Sequence, residues 1–175
     1  MIERESERLS IREITAHDVE KVLPVHLSNP DFLQQMEGSE GEAGRYDLQR
    51  WQRDWQIAQM MPGRHTLACY LKKTGEAVGY VEYLEEHDDG APWIGVLTIH
   101  RAHQRQGLGT EAFQHLIAHF RAEYGWSRLR AGVLEHNEAG LGFARHLGFQ
   151  PIRQLSTRTS GGMQHFIIFE LPLSM

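Results

Sequence analysis

The chain has 175 residues, 41% hydrophobic and 23% charged, the proportions of a globular protein and not of a disordered one. Residues 1–175 suit one domain with a sizeable core. The formal net charge of −5 argues against nucleic acid or an acidic membrane surface as the main partner, and one cysteine, Cys69, excludes an intrachain disulfide and fits a reducing compartment.

The opening "MIERESERLSIRE" lacks the apolar stretch of a secretion signal. No run approaches the roughly 18 apolar residues of a membrane span. The expectation is a cytoplasmic protein with no membrane and no nucleic-acid partner. The sequence leaves a homodimer open.

"LSIREI" alternates apolar and polar residues and predicts a strand. Residues 15–27 have helical spacing, with Val19, Val22, Leu23 and His26 or Leu27 on one side and Pro24 as a candidate kink. Residues 36–45, rich in Gly and Glu, predict a loop. A helix follows over residues 47–60, with Leu48, Trp51, Trp55 and Ala58 on one face. The period then changes to two. "RHTLACYL" and "AVGYVEYL" are strands joined by the turn "KKTGE", and "WIGVLTIH" is a third, mostly apolar strand.

"HQRQGLGTEAFQHL" comes next, and a helix over residues 110–124 presents Phe113, Leu116, Ile117, Phe120 and Tyr124, with Gly125 as its cap. "RLRAGVL" is a strand, residues 138–147 a short helix, and residues 152–159 and 165–171 a final hairpin around "SGG". Strand, helix and strand in this order give a right-handed parallel crossover. The fold class is therefore α/β (α+β): a mixed, mostly antiparallel sheet with one central parallel pair.

Gly107 and Gly109 stand before a helix, the usual place for a phosphate cradle. No Lys follows either glycine, so the Walker loop fails. The dinucleotide pattern is formally present as Gly107, Gly109 and Ala112, with Glu135 after the next strand. That fold needs its first glycine directly after the strand, however, and here "RAHQRQ" intervenes. A third pattern, Gln/Arg-x-x-Gly-x-Gly/Ala after an apolar strand, is matched by Gln104, Gly107 and Gly109.

This pattern resembles the Gcn5-related N-acetyltransferase (GNAT) superfamily, and the order of elements resembles it over nearly the whole chain. "NEAGLGFARHLGF" is similar to that family's second motif, Asn-x-x-Ala-x-x-x-Tyr-x-x-x-Gly-Phe. The resemblance implies acetyl-CoA as co-substrate, with its pyrophosphate on the backbone of Gln104, Arg105, Gln106, Gly107, Leu108, Gly109 and Thr110. It implies that the parallel strands splay apart. The open edge at Leu97, Thr98 and Ile99 then receives pantetheine as an added strand would, and Asn137 belongs to the cofactor site.

The implied reaction is direct attack of an amine, from a small molecule or a protein, on the thioester. It needs a base, an oxyanion donor and an exit for the thiolate. The N–H of Leu97 or Thr98 is the candidate oxyanion donor. Candidate bases are Glu82, expected opposite Val96, and the imidazoles of His100 and His103.

The family's acid is a tyrosine seven residues after the Asn, and Ala144 stands there. That departure keeps a second reading open: a catalytically weak acyl-CoA-binding sensor. His115 and His119 have i, i+4 spacing but no HExxH glutamate between them; they are expected on the solvated face, with no metal. Trp51 and Trp55 are expected in the core or as a wall of the acceptor site. Glu37, Glu40 and Glu42 form an acidic loop or a gate for a cationic amine.

Overall fold

The computed structural model describes residues 3–37, 46–159 and 162–173. Eight strands of these residues form one sheet: β1 (Glu3–Glu5), β2 (Leu9–Glu13), β3 (Arg64–Leu71), β4 (Ala77–Leu84), β5 (Trp93–Ile99), β6 (Arg128–Leu134), β7 (Gln150–Thr159) and β8 (Gly162–Pro172). Their order across the sheet is β1-β2-β3-β4-β5-β6-β8-β7. All neighbours pair antiparallel except β5 and β6. The sequence did not announce β1, and the final hairpin is longer than the apolar runs suggested.

Side chains alternate across a sheet, so it has two faces. On one face Leu67, Val81, Tyr83 and Ile99 pack with Phe113, Leu116 and Phe120 of the segment after the glycines. On the other, Ala68, Tyr70 and Tyr80 pack with Val19, Val22, Val25 and Trp51. The helices are α1 (Val19–Leu27), α2 (Pro30–Glu37), α3 (Leu48–Gln59), α4 (Leu108–His119) and α5 (Glu138–His146). No described helix is long and apolar enough to cross a membrane.

Several boundaries differ from expectation for identifiable reasons. Helix α1 starts at Val19 because residues 15–18 form a turn, Asp18 N–H to Thr15 C=O. The Asp18 carboxylate takes two hydrogen bonds from Arg12 and others from Thr15 and Tyr70. Pro24 sits inside α1 without ending it, and its own C=O still accepts from Ser28 N–H at 3.0 Å. The unpredicted α2 opens on Pro30, whose missing N–H would have been unpaired at that position anyway. Met36 and Glu37 belong to α2, whereas Glu40 and Glu42 lie outside the described residues.

Helix α4 ends in a π turn over Phe120–Tyr124, closed by Gly125 at φ 61°. That turn brings the rings of Phe120 and Tyr124 to 6.0 and 5.8 Å from His119. His119 is therefore buried, not solvated as its position on the helical wheel suggested. Among the described residues no cluster of three or more candidate metal ligands occurs.

Candidate active site

The parallel pair is short. β5 and β6 are in register only at Trp93↔Arg130 and Ile94↔Ala131, and beyond Ile94 they part. On its other side β5 stays paired with β4 as far as Ile99↔Gly79. His100 N–H donates to Val78 C=O at 2.8 Å. In an antiparallel ladder that bond makes Ile99↔Gly79 a non-hydrogen-bonded pair and Thr98↔Tyr80 a hydrogen-bonded one. Thr98 and Val96 thus spend their backbone groups on β4. Leu97 and Ile99 turn theirs into the opening between β5 and β6. Of the two candidate oxyanion donors, Leu97 is the one whose N–H faces the gap.

The chain leaves β5 through a tight 3₁₀ turn, Arg101–His103, and reaches α4 across an exposed loop. Arg105 at φ 63° and Gly107 at φ 80° reverse the backbone twice. A non-glycine residue in that region is uncommon and marks a constrained bend. Gly107 is the N-cap of α4, so free N–H groups and the positive end of the helix dipole face the loop.

Arg8 and Asn29, which sequence reasoning missed, hold this loop. Arg8 donates to Gln106 C=O at 2.9 Å and to Glu111 at 2.6 Å, and Glu111 also accepts from Ser6 at 2.6 Å. Gln104 turns inward to Asn29 Oδ1 and Ile99 C=O, at 2.8 and 2.9 Å. Asn29 in turn donates to Thr98 Oγ1 at 3.1 Å.

The two glycines are required for different reasons. At Gly107 the positive φ excludes most side chains. At Gly109 a Cβ would stand 3.1 Å from Phe143 Cζ, so glycine lets α4 and α5 approach. Asn137 caps α5, its Oδ1 accepting from Gly140 N–H at 2.9 Å. Ala144 is buried in the principal core beside Leu141 and Phe149.

On the opposite face of the sheet a cavity of about 290 Å³ opens against the same stretch of β5. Thr66, Glu82 and Val96 form one row across β3, β4 and β5, as Thr66↔Glu82 and Glu82↔Val96 are register partners. The expected position of Glu82 is thus observed. Its carboxylate accepts from Arg64 Nη2 at 2.6 Å, and the side chain is only 16% exposed. Helices α1 and α3 close the cavity with His26, Trp51 and Trp55. Trp51 is a core residue, its indole N–H donating to Val19 C=O at 2.8 Å, while Trp55 is a wall.

His26, read from the sequence only as an alternative on the packed face of α1, stacks on Trp51 with centroids 4.7 Å apart. Its Nδ1 lies 2.6 Å from the Tyr80 hydroxyl. Burial pushes its pKa down to about 4, so the imidazole is neutral at pH 7.

His100 and His103 lie elsewhere. His100 Nδ1 accepts from Ala102 N–H, and its ring lines a separate open groove with Leu23, Leu27 and Leu48. His103 reaches Glu76 at 3.3 Å. Neither lines the cavity that holds Glu82. Alternation along β3 put Arg64 and Thr66 on one face in the sequence, but only the register with β4 places them beside Glu82.

A family model described as an acetyltransferase (GNAT) domain matches residues 8–150. Among curated proteins, none matches the sequence significantly. Solved structures resemble the whole chain. A ribosomal-protein-S5-alanine acetyltransferase from Vibrio fischeri superposes with a TM-score of 0.76 at 15% identity, covering 99% of this chain and 98% of the other. A candidate ribosomal-protein-serine acetyltransferase from Vibrio cholerae gives 0.79 at 20%, covering 98% and 97%. A ribosomal L7/L12 α-N-protein acetyltransferase in complex with coenzyme A gives 0.77 at 16%, covering 95% of each chain.

Proposed function

The chain belongs to the GNAT acetyltransferase family, and from that premise we propose that it is a single acetyltransferase domain moving acetyl from acetyl-CoA to a primary amine by direct attack. The observation that carries this reading is the splay of β5 from β6 after Ile94, with the glycine loop on one side and the Glu82 cavity on the other. The residues present fit the co-substrate. Leu97 and the N–H of Ile99, whose C=O is taken by Gln104, would meet the pantetheine amides, and the N–H groups of residues 105–110 would meet the pyrophosphate. Arg8, paired with Glu111, lies beside Gly107 and Gln106 and holds the loop there.

The amine enters from the cavity face. Glu82 accepts its proton, directly or through a water, and the N–H of Leu97 stabilises the oxyanion as the tetrahedral adduct forms. The adduct collapses with release of the coenzyme A thiolate. A thiol with an ordinary pKa near 8.5 leaves without a strong acid, which accommodates alanine at position 144. His100 remains a candidate base only if the amine approaches from the open groove. The coenzyme A complex of a similar structure supports the co-substrate, and similar structures named for ribosomal proteins favour a protein amine among the acceptors.

The test is thiol release from acetyl-CoA across a panel of amines and peptides. Turnover with at least one acceptor supports the enzyme. Acetyl-CoA binding without turnover supports the second reading, an acyl-CoA sensor, which the absence of the phenol at Ala144 favours.

A further inference from the structure

Four buried side-chain polar atoms of the described residues without a hydrogen-bond partner belong to side chains that line one cavity. They are His26 Nε2, Trp55 Nε1, Arg64 Nε and Thr66 Oγ1. Buried polar groups in folded proteins are almost always paired, because leaving one unpaired costs about 1–3 kcal/mol. Four on side chains that line one cavity, from α1, α3 and β3, point to a polar occupant there. Thr66 is 2% exposed, so its hydroxyl has nowhere else to turn.

The chemistry of the four atoms is one-sided. Trp55 Nε1 and Arg64 Nε carry hydrogens and can only donate. The Tyr80 hydroxyl is buried, and His26 Nδ1 is its assigned partner, at 2.6 Å. A buried O–H needs an acceptor, so the phenol donates to Nδ1. The hydrogen of the neutral imidazole then resides on Nε2, which becomes a donor as well. The Thr66 hydroxyl rotates to suit. Against these donors the cavity sets the carboxylates of Glu82 and Asp54. Asp54 already accepts from the Tyr46 hydroxyl at 2.7 Å. A simple alkylamine or a polyamine would satisfy Glu82 and leave every donor bare.

We propose that the cavity selects amines that carry a carbonyl or carboxylate oxygen on the neighbouring carbon, with Trp55, Arg64, Thr66 and His26 as the donors that read that oxygen. This rests on the acetyltransferase reading and specifies its acceptor. The amine lies toward Glu82 and Val96, next to Leu97. The oxygen lies toward the donor-lined wall. Specificity of this kind is steep, because an analogue lacking the oxygen leaves buried donors unpaired.

The experiment compares alaninamide with sec-butylamine, which replaces the carbamoyl group by a methyl-terminated chain. Both are measured as kcat/KM and as affinity for the coenzyme A-loaded protein by calorimetry. The two amines differ in basicity, so the decisive quantity is the preference ratio of the parent against Trp55→Phe and Thr66→Val. Each substitution removes one donor; Thr66→Val keeps the shape, and Trp55→Phe keeps an aromatic ring of smaller size. The ratio is expected to fall about tenfold or more in each variant, through loss with alaninamide.

An unchanged ratio in both variants, or no preference in the parent, overturns the proposal. Retained coenzyme A affinity shows that a variant is folded, and a variant that fails this check leaves the parent and the other variant to decide. If no amine is turned over, the enzyme reading fails, and the calorimetric ratio still reports on the donors.

Discussion

Glu82 stands between a cation and a cavity. Its bond to Arg64 orients the carboxylate, and its row position puts it across from Val96, one residue before the N–H that faces the gap. Glu82→Gln keeps the shape and the hydrogen bond but loses the proton acceptor. The expected outcome is a fall in kcat of about 10²–10⁴ with acetyl-CoA affinity retained, read by steady-state turnover and calorimetry. An unaltered kcat would move the role to His100 or to water. Ala144→Tyr is a poorer probe of the missing acid, since the side chain is buried among core residues and a phenol there would overpack them. At this scale the glycine loop was legible in the sequence because its anion site is made by consecutive backbone groups. Of the cavity's donors only Trp55 was, as a wall residue of the acceptor site. They come from two helices and a strand, and no local pattern joins His26 to Thr66.

The elements around the site owe their placement to small, checkable devices. Asn137 was assigned to the cofactor by resemblance, and in the structure its Oδ1 also caps the first turn of α5. Asn137→Ala is expected to lower stability by about 1 kcal/mol, the usual value of a lost N-cap, in denaturant unfolding. A loss of acetyl-CoA affinity larger than the loss of stability would return Asn137 to the cofactor.

The ladder logic of β5 yields a second expectation. Amide exchange at Leu97 and Ile99 should slow on adding acetyl-CoA, because their N–H groups face the gap. Thr98 should be slow with and without it, being bonded to β4. Protection that rises at Thr98 and not at Leu97 would reverse the assigned strand polarity. The strand meander, α4 and α5 were legible from period and punctuation. Helix α2 was not, since "PDFLQQME" carries too few apolar residues to show a face, and the π turn was not, since it keeps the apolar spacing while adding a residue to the turn.

Across the whole molecule, the group that shapes the cavity also sets a pH limit. Burial lowers the pKa of His26 from 6.5 to about 4, with Asp54 opposing and Arg50 adding to the shift. Between those values the unfolded chain binds a proton that the folded chain refuses, so stability is full above about pH 6.5 and falls as pH drops toward 4. Asp18 acts in the next window. The hydrogen bond from Arg12, with those from Thr15 and Tyr70, holds its carboxyl far below the ordinary value, against the opposing effect of burial. Its contribution is complete above about pH 4 and is lost as pH falls further. Both groups lie on the same face of the sheet, where α1 packs on β3 and β4. Acid should therefore loosen the acceptor face in two steps. Urea unfolding from pH 8 to pH 3 should show a plateau, a decline beginning near pH 6.5, and a second decline below pH 4. His26→Phe keeps a ring against Trp51 and removes the titrating group. It should lower the plateau, because the Tyr80 hydroxyl loses its partner, and flatten the first decline while leaving the second. A first decline that survives intact in His26→Phe would show that another group titrates there and that the imidazole is not the buried neutral donor assigned to the cavity.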